Sequence, residues 1–443
     1  MPVRPVPGSS LSYYLIAFDK DGNERQEAGG ALLSDRIAAD VKAAPPSDIF
    51  IFCHGWLGDV SSAIGQYDTW TKMLVAQSTD MARAMAVRGA GFRPLLIGLH
   101  WPSKPWGDET LGGSSFAATA TATVDGLVKI FADRLSRGRR VSPRLRAAIR
   151  TIVAAAAEDD DRDTLPPDLL AAFVDLERVA LPAAEGPAGP PSADREALGA
   201  TGVSSLYDTI IDADASFGSG SDSSGPLIGM LRIFSFWAMK DRARSVGEGG
   251  AYRLLRALQQ PAPQANVHLM GHSFGCIVVA GMIAGAASAA GPLRPVRSAL
   301  LVEGALSCWS FSPSLPFAAG KAGYFAPLVA AKMVAGPLVV IHSPFDYALG
   351  RFYPLAAGVA GQSSFADPQA GRFSALGALG AQGTTAQAMT LGPADTGYRF
   401  VGGAIYNLNG KDVIKDQSAP EGAHNDIVHP EVAHAFWEAA LTQ

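Results

Sequence analysis

Gly271-His272-Ser273-Phe274-Gly275 carries the clearest chemical content of this chain. The five residues spell G-x-S-x-G. Asn266-Val-His-Leu-Met270 before them reads as a short strand, and the apolar stretch from Cys276 reads as a helix. In that context the serine sits on a sharp, strained turn, and the glycines two residues either side let strand and helix pack closely. Its Oγ stands exposed above the carboxyl edge of a sheet. The helix N-terminus behind it offers backbone N–H groups and a positive dipole end to an oxyanion. An inert serine in a glycine-rich turn is the plainer reading, and the strand and helix around it weigh against it.

A serine hydroxyl is a weak nucleophile until a base takes its proton and an acid orients that base. On a fold of this type the partners follow in the order Ser, Asp/Glu, His. Asp346 lies just after the apolar run Gly336-Pro-Leu-Val-Val-Ile341, where a loop acid faces the same edge as Ser273; Glu303, after Ser298-Ala-Leu-Leu-Val302, is the rival. The base then comes from His424, His429 or His434. His434 falls inside the closing helix and His429-Pro430 looks like its entry. His424, in the loop Glu421-Gly-Ala-His-Asn-Asp-Ile, is best placed to reach Ser273, with His429 as the alternative. For the oxyanion, the N–H of Phe274 needs a companion. The turn His54-Gly55-Trp56 ends a buried strand and supplies one from Trp56, or failing that from Leu57. His54 itself reads as a brace for that turn, and His100-Trp101-Pro102 as pocket wall. The histidine spacings fit no zinc pattern, and nothing in the sequence requires a cofactor.

These residues need elements to hold them. Tyr13–Phe18, Asp48–Cys53, Arg93–His100, Asn266–Met270, Ser298–Val302 and Gly336–Ile341 read as strands, with Asp21-Gly22 as a hairpin turn and Tyr398–Val401 as the last inner strand. Helices are expected over Asp68–Arg88, Leu227–Ala243, from Cys276, and over Glu431–Leu441. Buried strands alternating with helices give an α/β chain with a mostly parallel central sheet flanked by helices. The alternation stops between about 108 and 225. That stretch holds helices at Val124–Leu135 and Leu169–Val179, seven arginines from Arg134 to Arg150 and the acidic run Glu158–Asp163. It also holds a Pro/Gly/Ala-rich linker at 181–200 and a Gly/Ser loop at 218–225. The expected organisation is a first core part over 1–107, a helical insertion over 108–225 with mobile linkers, and a second core part over 226–443. The arginines and the acidic run pair or stay solvated. Leu227–Trp237 either lines an acyl pocket or packs a core face, the second being the commoner use of such a stripe.

The HG turn at His54-Gly55, the elbow at Gly271–Gly275, and Asp346 followed by His424 resemble the α/β-hydrolase superfamily over about 12–105 and 226–443. His100-Trp-Pro-Ser103, Met239–Gly247 and Gly422–Ile427 are also similar to stretches in uncharacterised microbial hydrolases of that superfamily. The resemblance implies an α/β-hydrolase fold and a serine hydrolase. It adds weight to His424 and names no substrate. In lipases and esterases of the superfamily, insertions often form a cap over the nucleophile, which is how 108–225 is read.

Composition narrows the alternatives. The chain has 443 residues, 48% of them hydrophobic and 17% charged, so it builds a sizeable core. A net charge of −5 leaves no electrostatic footprint for nucleic acid. Cys53, Cys276 and Cys308 make neither a disulfide framework nor a zinc pair, and free thiols in apolar runs suit a reducing, cytoplasmic setting. The N-terminus lacks the apolar stretch of a secretory signal. The apolar stretch Cys276–Leu293, 18 residues without a charge and rich in Gly and Ala, reads as a core helix rather than a membrane span. The expected activity is hydrolysis of a small carboxylic ester with an apolar acyl group, through an acyl-enzyme. Thioesterase, amidase and acyltransferase chemistry use the same residues. A non-catalytic binding protein on this fold is the alternative of another class.

Overall fold

The computed structural model describes residues 3–442 apart from 28, 57–59, 104–122, 137–139, 159–163, 182, 213–224, 287–289, 357–369 and 420. Its centre is one nine-stranded sheet. In chain order the strands are β1 (Val3–Pro5), β2 (Ser12–Ala17), β3 (Asp48–Cys53), β4 (Pro94–His100), β5 (Asn266–His272), β6 (Ser298–Val302), β7 (Leu338–His342), β8 (Gln387–Thr390) and β9 (Ile405–Asn409). Across the sheet they run β1-β2-β4-β3-β5-β6-β7-β9-β8. Every pairing is parallel except the edge pair β1–β2.

Helices cover both faces, and the strand pleat assigns residues to each. On β3, Ile49, Ile51 and Cys53 join one hydrophobic cluster while Phe50 and Phe52 join the other. That alternation within an unbroken apolar run is expected of a strand buried on both sides. The Phe50 face packs on α2 (Val60–Ala76), α3 (Ser78–Arg88) and the C-terminal helix α14 (Pro430–Leu441), through Trp70, Leu74, Phe436 and Trp437. The other face takes α1 (Leu33–Ala43), α8 (Gly225–Val246), α9 (Tyr252–Gln259) and α10 (Gly275–Ala284). Three short helices, α11 (Ala326–Ala330), α12 (Tyr353–Ala356) and α13 (Leu376–Leu379), lie in the second half of the chain.

Between β4 and α8 the described residues form α4 (Val124–Leu135), α5 (Pro143–Glu158), α6 (Pro167–Ala180) and α7 (Gly199–Asp212), and no strand. Their apolar faces join the cluster that contains the sheet face, with Phe173 of α6 stacked on Phe234 of α8 at 6.0 Å. Two arginines of the cluster pair with acids of neighbouring helices, Arg144 with Asp175 at 2.6 Å and Arg150 with Asp125 at 2.7 Å, while Arg137 and Arg139 lie outside the described residues. The acidic run beyond Glu158 and the Gly/Ser loop up to Ser224 lie outside the described residues.

Three expectations are corrected. The helix over 68–88 is two helices, parted at Gln77. The last inner strand is Ile405–Asn409; Tyr398–Val401 is a loop in which Tyr398 and Phe400 stack on each other at 5.0 Å. The linker 181–200 is folded. It makes two 3-10 turns, buries Ser192, Ala193, Asp194 and Arg195, and places Arg195 in an ion pair with Glu177 of α6 at 2.6 Å. The same Glu177 accepts from the Leu198 and Gly199 N–H groups. A buried carboxylate satisfied by its own following segment holds that segment in place, whatever its glycine and proline content suggests.

Candidate active site

Ser273 occupies the turn between β5 and α10 with φ of 55°, one of three non-glycine residues in the left-handed region among those described. Its N–H donates to the Val302 carbonyl at the end of β6, which ties the turn to the sheet. The flanking glycines are there for space. A Cβ on Gly271 would lie 2.7 Å from the Gly275 carbonyl oxygen, and one on Gly275 would lie 2.2 Å from that of Cys53. Side chains at either position would push helix and strand apart.

The acid and base arrive on two loops zipped together. Asp346 follows β7 and pairs with Gly422 in an antiparallel bridge, and the Ala423 N–H donates to the Phe345 carbonyl at 2.8 Å. Gly422 has φ of 65° and lies so close to Phe345 that a Cβ would sit 2.3 Å from its carbonyl oxygen. This contact sets His424, two residues on, between Asp346 and Ser273. His424 Nδ1 donates to Asp346 Oδ2 at 2.7 Å and its Nε2 accepts from Ser273 Oγ at 2.9 Å. Asp346 Oδ1 accepts from the Leu349 N–H at 2.9 Å. Ser273 and Asp346 are buried, and the His424 side chain keeps 12% exposure. Burial works against a charged imidazole. The Asp346 charge and hydrogen bond, with Glu421 nearby, outweigh it and raise the His424 pKa above the usual 6.5.

The other histidines lie elsewhere. His429 caps α14 and binds Asp426 at 2.7 Å; His434 is buried on α14 against Asp80 at 2.7 Å. Glu303, at the end of β6, lies beside Asp346 and makes no hydrogen bond to the His424 ring.

The turn after β3 touches the nucleophile. A Cβ on Gly55 would lie 2.8 Å from Ser273 Cβ, so only glycine permits this approach. The Trp56 ring stacks on Phe274 at 5.7 Å. Neither the Trp56 nor the Phe274 amide donates to a backbone carbonyl among the described residues, leaving both N–H groups beside Ser273 available to a ligand. Leu57, the other candidate donor, lies outside the described residues. His54 braces the turn: Nδ1 donates to the Gly55 carbonyl at 2.8 Å, and Nε2 accepts from the Trp101 N–H at 3.3 Å and lies 3.1 Å from His100 Nδ1. His100 and Trp101 are fully buried and hold this turn from behind, rather than forming a pocket wall. Tyr67 of α2 completes the brace. Its hydroxyl accepts from the His54 N–H at 3.0 Å and donates to the Leu99 carbonyl.

Several residues here carried no sequence signal. His272, the first x of G-x-S-x-G, donates from Nε2 to the His424 carbonyl at 2.9 Å and so steadies the base; burial first, then the His424 charge, push its pKa down to about 3. Phe236 of α8 packs on Phe274 at 5.1 Å and on Trp56 at 5.8 Å, while Phe234 and Leu231 face the core, so the stripe 227–237 packs the core and brings one ring to those flanking Ser273. Beyond Phe236 lies a buried polar cluster: Lys240 Nζ donates to the Tyr353 hydroxyl at 2.7 Å, which donates to Asp194 Oδ2 at 2.9 Å.

Among the described residues, two groups of side chains have metal-ligating types within reach of one another, His272–Glu303–His424 and Asp80–His434–Glu438. In the first, both His424 nitrogens are engaged by Ser273 and Asp346. In the second, Arg83, the Tyr398 N–H and the Thr396 carbonyl already satisfy the ligand atoms. All three cysteines are free and buried. No helix among the described residues is long and apolar enough to cross a membrane. No protein-family model, no curated protein and no solved structure matches this chain.

Proposed function

We propose that the protein is a serine hydrolase with an α/β-hydrolase fold, cleaving carboxylic esters through an acyl-enzyme on Ser273. The observation that carries this reading is the unbroken hydrogen-bond line Ser273–His424–Asp346, with a free pair of amides beside it. His424 takes the Ser273 proton as Oγ attacks the ester carbonyl, and Asp346 stabilises the imidazolium. The oxyanion forms against the N–H groups of Trp56 and Phe274, at the N-terminal end of α10. His424 returns the proton to the leaving alcohol. A water deprotonated by His424 then releases the acid and regenerates Ser273. Phe236, Phe274 and Trp56 give the site an aromatic surface suited to an apolar acyl group. The helices of 108–225 reach this surface through α8 and tune access as a cap, supplying no member of the triad.

The test is labelling of the intact protein with a fluorophosphonate, with the modified peptide mapped. Modification at Ser273, lost in Ser273→Ala, supports the reading; a folded protein that never labels beside an active control esterase overturns it. A screen of p-nitrophenyl esters of rising chain length, a thioester and an anilide then separates ester from thioester and amide substrates.

A further inference from the structure

Glu303 stands out on backbone, burial and partners together. It ends β6 with φ of 45°, a conformation that persists in a non-glycine residue only when the surroundings over-determine it. Here its N–H donates to the Ile341 carbonyl at 2.9 Å, and Gly377 packs so tightly that a Cβ there would lie 2.5 Å from Glu303 Cα. The side chain is thereby fixed at the sheet edge and fully buried. Neither carboxyl oxygen accepts from an amide, a hydroxyl or a cation among the described residues.

The titratable groups facing it are Asp346 after β7, His272 at the end of β5, and His424 and Asp426 from the segment before α14. None compensates a second negative charge. His272 is kept neutral by burial, and the His424 ring nitrogens are committed to Asp346 and Ser273. Two carboxylates side by side in a buried site do not both ionise. Asp346 has the donors, the Leu349 amide and the His424 ring; Glu303 has none. The charge therefore belongs to Asp346 and the proton to Glu303. Burial and the neighbouring Asp346 act in the same direction, raising the Glu303 pKa well above the carboxylate range.

We propose that Glu303 is a neutral carboxylic acid that donates its proton as a hydrogen bond to Asp346, a positioning residue that leaves Asp346 the sole anion of this pocket. The effect on turnover rests on the hydrolase reading above; the location of the proton does not.

Infrared difference spectroscopy at neutral pH tests the proton. Wild type minus Glu303→Gln should contain the carbonyl stretch of a protonated carboxyl group, shifted by deuterium. A difference spectrum without that band overturns the proposal, whether or not the protein hydrolyses esters. A band in a protein whose Ser273 never labels would instead count against the hydrolase reading alone. The pH profile of fluorophosphonate labelling tests the positioning. Glu303→Leu removes the donor, so labelling should slow about tenfold and its acid limb should move to higher pH, because Asp346 then holds more charge against His424. Glu303→Gln still donates and should recover most of that rate, with the limb at the wild-type position. A limb moved to lower pH in Glu303→Gln would mean that an anion had been removed, and would overturn the proposal. Should Glu303→Leu fail to fold, the spectrum and limb of Glu303→Gln decide alone.

Discussion

Ser273–His424–Asp346 and Lys240–Tyr353–Asp194 are both strings of three polar side chains, joined by two hydrogen bonds each; Phe236 packs on Phe274 next to the first and lies 5.6 Å from Lys240 Nζ of the second. In the first, the acid accepts two donors, the base keeps some exposure, and the string ends on a hydroxyl in a strained turn. In the second, the Lys240 ammonium is wholly buried. It lies 4.6 Å from the Trp237 ring centre and 4.3 Å from that of Tyr353, and its carboxylate Asp194 is 4.0 Å away with one oxygen unpartnered. Burial pushes the Lys240 pKa down to about 8, against the pull of Asp194. One string has the geometry that the proposed hydrolysis requires for proton transfer from Ser273; the other ties the segment around Asp194 to α8 and α12. Buried polarity alone thus does not mark a reaction centre. The proposed hydrolase reading rests instead on a hydroxyl in a strained turn with open amides beside it.

Substitutions should separate the two strings by what they damage. Ser273→Ala and His424→Ala should each lower ester hydrolysis by on the order of 10⁴-fold or more and leave the thermal midpoint nearly unchanged, because the elbow is shaped by Gly271 and Gly275. Substantial turnover in either folded variant would remove the distinction. Asp346→Asn should cost on the order of 10³-fold by presenting the wrong hydrogen-bonding partner to His424. The wild-type pH–rate profile should rise through an acid limb above pH 6.5, since catalysis needs His424 neutral and its pKa is raised. In Asp346→Asn that limb should fall.

The second string should respond in stability. Lys240→Met leaves Asp194 buried without its cation, a loss of about 3 kcal/mol in urea denaturation, and should open residues 183–200 to limited proteolysis that the wild type resists. A wild type cut readily there would contradict the folded linker. His272 provides a smaller, pH-linked effect. The unfolded chain takes up this proton near pH 6.5 and the native state only near pH 3, so the term weakens the fold as pH falls between those values. Comparing wild type with His272→Gln from about pH 6.5 to about pH 4.5 should show a loss of about 2 kcal/mol confined to wild type. Smallest of all, Phe236→Ala should shift acyl-chain preference by roughly 10-fold with little change in fluorophosphonate labelling, since it alters the wall and not the triad.

Much of this was legible in the chain because the physics was local. β3 and β6 stand where unbroken apolar runs put them, and chain order was enough to bring Asp346 and His424 to Ser273. The edges were less legible. Ile405-Tyr-Asn-Leu-Asn409 alternates with polar residues and hides a strand whose Asn407 side chain bonds the Ala381 backbone. Gln77 carries no breaker residue, yet α2 and α3 part there. The order of 181–200 is not legible for a third reason: composition describes the unfolded chain's freedom, whereas Glu177, from the preceding helix, decides the folded one. Glu303 could be found as an acid near the site, but its proton depends on a neighbour contributed by another strand.

Tyr67 has a consequence in time rather than in distance. Its ring lies over Gly98 so closely that a Cβ there would be 2.6 Å from Cδ2, while its hydroxyl joins the His54 amide to the Leu99 carbonyl. The His54 amide can meet solvent only when α2 lifts from the sheet, so its hydrogen exchange should follow the slow, large-scale openings of the domain rather than loop motion. Ring flips of Tyr67 should be slowed by the same contact. In the hydrolase reading proposed above, the strand end that leads to the Trp56 amide is thus held before substrate arrives, and little reorganisation is required of it at the attack.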